Sequence, residues 1–199
     1  DTQNFNIEAG QYGKFKLDAF YKEIQHNFTF DAKSFYTGVG SNTLTTTATS
    51  AALPTNPSTW PTVFDYAVSR EQYGAGIKMN MMKPFFADFA VSREDRTGIK
   101  AAGTYSGISI ELPEPVDYKT NTFKAEVGYG EDPVFFSMSY LKSNFENANP
   151  YLYFSSLTAT NTSEFLTLPP ANDYSKFALK GRLKMPLSSA LALNFSKST

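Results

Sequence analysis

The chain has 199 residues, a formal net charge of −1, no cysteine, 16% aromatic residues and only 19% charged residues. That balance removes the electrostatic case for nucleic acid, and the lack of cysteine removes CxxCH haem attachment, thiolate metal sites and disulfide frames from these residues. No run approaches the roughly 20 consecutive apolar residues that a spanning helix needs, whereas a mean hydropathy of −0.33 is compatible with spanning strands, in which every second residue faces the lumen.

The first predicted strand runs near Phe5 to Gln11, with Phe5, Ile7 and Ala9 on one face, and turns at Tyr12-Gly13-Lys14. The second sets Phe15, Leu17, Ala19 and Tyr21 against Lys14, Lys16, Asp18 and Lys22. A period of two with one apolar face predicts β-strands. Residues 24–62, rich in Thr, Ser, Gly and Pro, are predicted as a long loop within one domain, because the same alternation resumes beyond them.

The third and fourth strands form a hairpin. Phe85, Ala87, Phe89 and Val91 alternate with Phe86, Asp88, Ala90 and Ser92, and Arg93 then takes the parity of the apolar face. An arginine costs about 2–4 kcal/mol at the bilayer midplane and far less at the interface, so Arg93 marks a membrane rim. The segment AVSRE occurs at 67–71 and again at 90–94. With Met81, Met82 and Lys83 as the turn, the hairpin sets Tyr73 opposite Val91, Ala75 opposite Phe89, Ile77 opposite Ala87 and Met79 opposite Phe85. The same register predicts a rim pair, Glu71 opposite Arg93, on the apolar side and Arg70 opposite Glu94 on the polar side, each worth roughly 0.2–1 kcal/mol.

A second long loop is predicted over 101–117. The fifth strand presents Phe123, Ala125, Val127 and Tyr129, with Lys124 and Glu126 on its other face. A turn at Gly130-Glu131-Asp132-Pro133 leads to the sixth strand, with Val134, Phe136, Met138 and Tyr140. A third long loop covers 145–172. The seventh strand sets Phe177, Leu179 and Leu183 against Lys176, Lys180, Arg182 and Lys184, and the eighth shows Leu191, Leu193 and Phe195.

The expected fold is all-β. Residues 1–199 form part of a single antiparallel transmembrane β-barrel domain, contributing about eight strands of a larger barrel. Short turns alternate with long loops, as periplasmic turns alternate with extracellular loops in outer-membrane barrels. That alternation puts both ends of the chain on the long-loop side, whereas bacterial barrels normally end on the periplasmic side, so the chain reads as the middle of a larger barrel. It begins without a signal peptide, as a mature chain or a fragment does.

The polar face supplies the predicted lumen-facing or partner-facing residues. They are Arg70, Gln72, Gly74, Gly76 and Lys78 on the third strand and Asp88, Ala90, Ser92 and Glu94 on the fourth, with Lys124 and Glu126 on the fifth and Lys176, Lys180 and Arg182 on the seventh. Gly74, Gly76 and Ala90 are expected to leave a smooth patch that another backbone can approach closely.

Five stretches carry a family resemblance: EAGQYGKFKLDAFYKEIQHNFTFDAKSFYTGVGSNTLT, REQYGAGIK, SREDRTGIKAAG, ELPEPVDYKTNTFKAEVGYG and LPPANDYSKFALKGRLKMPLSSALALNFS. At these residues the chain resembles the MtrB/PioB family, outer-membrane barrels associated with decahaem c-type cytochromes. The resemblance implies a barrel of more than twenty strands in the outer membrane of a Gram-negative bacterium, surrounded by lipid. It implies a non-enzymatic sheath for a periplasmic decahaem c-type cytochrome held in the lumen, which carries electrons to or from the cell exterior. It also admits an extracellular multihaem cytochrome on the long loops. The haem is carried by the partner cytochrome, and this chain is expected to bind no cofactor and no metal itself. A general diffusion porin and a closed eight-stranded structural barrel are the competing readings.

Single residues admit further roles. His26 could serve as an axial haem ligand or stand at the start of a wet loop, and one histidine without cysteines makes no haem site. Glu111, Glu114 and Asp117 could hold calcium through oxygen ligands, or form a solvated acidic loop stiffened by Pro113 and Pro115. Asp18, Asp88, Glu94 and Glu126 share the polar face, but no Ser/His/Asp set accompanies them and hydrolysis is not expected. The basic ladder Lys176, Lys180, Arg182 and Lys184 could be an anion path, a cytochrome contact, or charge balanced by an unseen neighbouring strand. Trp60, beside Pro61, reads as an interface anchor or a loop plug.

Overall fold

In a computed structural model, which describes residues 2–159 and 162–199, eleven strands and one short 3-10 turn follow the chain. They are β1 (Gln3–Gln11), β2 (Phe15–Ser34), β3 (Thr43–Leu44), the turn Pro57–Thr59, β4 (Thr62–Met82), β5 (Phe85–Tyr105), β6 (Ser109–Glu131), β7 (Val134–Asn147), β8 (Tyr151–Ser155), β9 (Ser163–Thr167), β10 (Asn172–Met185) and β11 (Ser189–Ser198). Eight of them form one antiparallel sheet in the order β1-β2-β4-β5-β6-β7-β10-β11, and β3-β8-β9 form a second, smaller sheet. The eight predicted spanning strands are the members of the large sheet. The sheet is open: β1 and β11 each pair on one side only, so these residues do not close an eight-stranded barrel by themselves.

Away from the irregularities in β2 and β4, the pairing keeps one parity from strand to strand. Leu17 lies opposite Ala9 and Ile77, Ile77 opposite Phe89, Phe89 opposite Ala125, Ala125 opposite Tyr140, and Tyr140 opposite Phe177. The next row runs Phe15, Met79, Ala87, Val127, Met138, Leu179 and Phe195. These side chains make a continuous apolar surface, and many of its large members are exposed, among them Leu17, Val91, Phe123, Met138 and Phe195. A water-soluble sheet buries such a face, whereas an outer-membrane barrel turns it to lipid.

The hairpin register differs from the sequence expectation by two residues. Tyr73 lies opposite Arg93, Ala75 opposite Val91, Ile77 opposite Phe89 and Met79 opposite Ala87. The reversal falls at Lys83-Pro84 instead of Met81 to Lys83, with an irregularity between Met79 and Met82. Proline cannot donate to a ladder, so Pro84 belongs in the turn and strand pairing continues to Met82. Because the slip is even, every side chain keeps its predicted face.

All three predicted loops contain strand. β2 runs on to Ser34, through register irregularities between Asn27 and Ala32, so only the later part of 24–62 is loop. The expected loop 101–117 is almost entirely hairpin, with β5 ending at Tyr105 and β6 starting at Ser109. Pro113 and Pro115 misled the reading of that stretch, since proline is excluded only from a strand paired on both edges. β6 pairs with β5 from Ser109 onward but with β7 only from Tyr118, so both prolines sit where one edge is free. Within 145–172 lie β8 and β9, while Thr160 and Asn161 are outside the described residues.

These extensions reach past the bilayer. β5 has 21 residues, about 70 Å at roughly 3.3 Å per residue, against a hydrocarbon core of about 30 Å. The buried core sits on the far part. Tyr36, Leu44, Ile110, Leu112, Leu152, Phe154, Leu157 and Leu168 form one cluster, which packs the small sheet and its flanking loops onto the even-numbered side of β6. Val68, Val116 and Tyr118 form a second cluster below it.

Gly98 is the tightest point of the extension. Its φ is +146°, and a Cβ there would collide with the Ala67 carbonyl oxygen on β4. Gly98→Ala is expected to destabilise the folded sheet by at least about 1–3 kcal/mol, read as a lower urea midpoint of the lipid-reconstituted protein. Gly103→Ala, with open space around its Cβ position, is expected to leave that midpoint unchanged.

Candidate functional site

Opposite the apolar surface is a polar wall. Arg70, Gln72, Gly74, Gly76 and Lys78 on β4, Asp88, Ala90, Ser92 and Glu94 on β5, Lys124 and Glu126 on β6, and Lys176, Lys180 and Arg182 on β10 all share this side by register. The row Asp18, Gly76, Ala90, Lys124, Leu141, Lys176 crosses six strands. A concave surface runs along it, with Asp18, Asp88, Lys124, Glu126, Lys176 and Lys180 among its lining.

On the β1 to β5 part of the wall several charges are paired, while Lys22, over the Phe20 ring, and the exposed Arg96, opposite Arg70, share this side without a carboxylate partner among the described residues. Lys16 Nζ donates to Glu8 at 2.8 Å, and Lys78 lies 3.4 Å from Asp88. The expected Arg70–Glu94 ion pair forms, although Glu94 stands opposite Gln72 and the contact is diagonal. The expected Glu71–Arg93 rim pair does not form. Both residues lie on the apolar side, but Arg93 is opposite Tyr73 and bonds Asp95, two residues along its own strand, with Nε 3.0 Å from Oδ2. The two-residue slip moved Glu71 out of reach and placed it opposite Asp95.

The glycine patch is not bare. A Cβ on Gly74 would meet the Phe20 ring at 2.9 Å and the Val91 carbonyl oxygen at 2.5 Å, and one on Gly76 would meet the Asp18 carboxylate at 3.0 Å. Phe20 and Asp18 from β2 therefore occupy the space that the glycines leave. A Cβ on Gly128 would likewise collide with the Phe86 ring.

At the long-loop end a folded cap replaces the open wall. Glu114 is buried on β6, where Lys100 Nζ reaches it at 3.0 Å and the Tyr118 hydroxyl donates to it at 3.3 Å. Burial works against the Lys100 ammonium, but the bond to Glu114 and its charge outweigh that and raise the Lys100 pKa. Ser106 Oγ donates to Glu164 at 2.7 Å and accepts from the Leu157 amide at 3.0 Å, tying the β5–β6 tip to the β8–β9 connection. Burial, with the Glu164 charge, pushes the Tyr36 phenol up to about 12. Trp60 belongs to this region: its indole donates to the Pro54 carbonyl at 2.8 Å and its ring stands edge-on to Phe35 at 5.3 Å.

The remaining candidates separate. His26 is not in a loop but within β2, exposed and opposite Val68, because the strand continues past the predicted boundary. Glu111 and Glu114 lie on opposite sides of β6, and no cluster of acids, histidines or cysteines among the described residues is arranged to hold a metal ion. The cap core was missed, although Leu152 and Phe154 alternating with Tyr151 and Tyr153 carried the strand signal inside a stretch read as loop.

Two comparisons bear on identity. A family model described as "Putative outer membrane beta-barrel porin, MtrB/PioB" matches residues 1–199. The chain is also similar to the protein named Outer membrane protein MtrB from Shewanella baltica (strain OS185), with 28% identity over 193 residues. That match covers 92% of this chain and 28% of the relative, so the chain spans well under a third of that protein's length.

The pairing pattern predicts where charges couple. In a double-mutant cycle read by urea unfolding in lipid, Arg70→Ala with Glu94→Ala should give a coupling of about 0.2–1 kcal/mol. Glu71→Ala with Arg93→Ala should couple far more weakly, because Arg93 is held by Asp95. The opposite ranking would restore the direct rim pair.

Proposed function

The chain belongs to the MtrB/PioB family of outer-membrane β-barrels, and from that premise we propose that the whole protein sheathes a periplasmic multihaem c-type cytochrome for electron transfer across the outer membrane. The polar wall is the lumen side and meets the cytochrome, while the apolar face meets lipid. The observation that carries this reading is the cap. Its core packs Leu112, Leu152, Phe154 and Leu168 on the same side of β6 as the polar wall. A diffusion pore needs that side open to bulk water at the mouth, whereas a sheath gains from a covered one.

Haem supplies the redox chemistry and belongs to the partner, since these residues contain no cysteine and a single histidine, His26, which is exposed. The chain's own part is to exclude lipid, hold the partner's position and limit water. Its low-dielectric wall keeps charge movement within the partner, and mixed polar groups bond the partner without a strong field of one sign over most of the surface. On the same reading, an extracellular multihaem cytochrome approaches from the cap end, where the rings of Tyr151, Tyr153 and Phe165 are exposed and packed on one another.

The full-length protein, purified from native membranes in mild detergent, is expected to carry haem absorbance in fixed ratio to the folded, heat-modifiable barrel. Liposomes containing that complex should pass electrons from an external reductant to an enclosed redox dye. A colourless barrel that instead lets small solutes through liposomes would establish the diffusion porin.

A further inference from the structure

Wall cations without a carboxylate partner among the described residues occur singly on β2 and β5, at Lys22 and Arg96, but gather on β10. Lys176, Lys180 and Arg182 are exposed on the polar side of one strand. Lys176 and Lys180 stand about 13 Å apart, and Lys180 and Arg182 about 7 Å apart, at roughly 3.3 Å per residue. Balancing carboxylates on an adjacent strand would account for such a ladder. Both adjacent strands are present, and neither carries them. On β7 the residues opposite the three cations are Leu141, Ser137 and Phe135. On β11 they are Ser198, Asn194 and Ala192.

Asp132 in the β6–β7 turn shares a concavity with Lys180 and Arg182 but is bonded by Lys184, and the next acid on this side by register is Glu126 on β6, in the row of Ser139 and Ala178. It lies two strands from β10, about 10 Å across the sheet, and Lys124 on its own strand offsets it. Lys184, the fourth rung, is already taken, with its Nζ 2.6 Å from Asp132. Lys16, Lys78 and Arg70 all have carboxylate partners in the neighbouring part of the wall. The three rungs on β10 have none among the described residues. Like charges on a low-dielectric concave wall repel, and an anionic occupant relieves that repulsion.

We propose that Lys176, Lys180 and Arg182 form a docking strip for an acidic surface of the protein inserted in the lumen. The inference rests on the proposed sheath function and adds where, and through what chemistry, the partner is held. The strip runs from mid-wall toward the short-turn end of β10 at Met185, and the short-turn end of an outer-membrane barrel is the periplasmic one. A periplasmic protein therefore meets these cations as it enters. Its acidic side must face β10, which fixes its rotation within the barrel. The β1 to β5 part of the wall, where most cations already have carboxylates, contributes mainly contact area.

The test uses the full-length protein with its native partner and two variants, Lys176→Gln/Lys180→Gln/Arg182→Gln and the corresponding triple change to Glu. Heat-modifiable mobility establishes that each barrel folds. Haem per folded barrel is expected to fall by at least about half in the Gln variant and almost completely in the Glu variant. The wild-type complex should itself release partner as salt is raised, since exposed charge pairs are screened within about 10 Å at 0.1 M. Unchanged haem in the folded variants, or a wild-type complex indifferent to salt, would overturn the strip and leave the sheath function standing. A wild-type barrel that carries no haem protein would overturn both. In that case a bilayer reversal potential that moves from anion toward cation preference in the Glu variant would assign the ladder to the passage of small anions.

Discussion

The structure depends on the obligation of a backbone in hydrocarbon to satisfy every N–H and C=O on a neighbouring strand. That obligation forces an unbroken antiparallel ladder from β1 to β11. With side chains alternating at each step, the ladder makes two surfaces that never mix: Ile77, Phe89 and Tyr140 on one, and Lys78, Asp88 and Lys176 on the other. A one-residue slip in any pair would send a row of charges into lipid at about 2–4 kcal/mol per buried cation. A two-residue slip leaves the surfaces intact. The hairpin of β4 and β5 differs from its expected pairing by such an even step, so the assignment of faces survived an error in register.

The same contrast explains what could be read from sequence. Face assignment needs only parity, which Phe85 to Ser92 display directly. Register needs the turn, and Pro84 placed that two residues beyond the simplest guess. Partner choice at the rim needs register, and so Arg93 was expected to reach Glu71 but binds Asp95 on its own strand. Strand length outside the membrane was harder to read because the chemistry changes there. Above the rim the even side of β6 turns apolar, with Leu112, Val116 and Tyr118 buried, and prolines are allowed because one edge is free. The cap core joins residues as far apart as Tyr36 and Leu168, a non-local contact that no short pattern announces. The small-residue patch failed for a related reason: Phe20 and Asp18 fill it from β2, and only the cross-strand register of β2 with β4 reveals that.

The division of labour along the strands follows. The middle section meets lipid on one side and carries a polar wall on the other. The upper section is a folded body outside the bilayer, held by ordinary apolar packing and by a partly exposed Lys100 that pairs with the buried Glu114. Such a pair adds little net stability but penalises any arrangement that leaves Glu114 alone, which suits a cap that must sit in one place. The wall then carries an electrostatic gradient, with most charges paired across β1 to β5 and, among the described residues, three unpaired cations together on β10. An inserted partner would be located by charge at one side and by contact area at the other.

The lumen wall, the cap and the basic strip all depend on which surface faces lipid. The most direct measurement is single-cysteine scanning of the full-length protein in lipid, with any other cysteine replaced by serine, using a nitroxide label at 75–78 and 88–91. Labels at Ala75, Ile77, Phe89 and Val91 should collide mainly with oxygen dissolved in the bilayer. Those at Gly76, Lys78, Asp88 and Ala90 should be shielded from it and respond to a water-soluble relaxation agent or to removal of the proposed lumen partner. Equal oxygen exposure at odd and even positions, or the reverse alternation, would contradict the assignment of the two faces and with it the lumen wall.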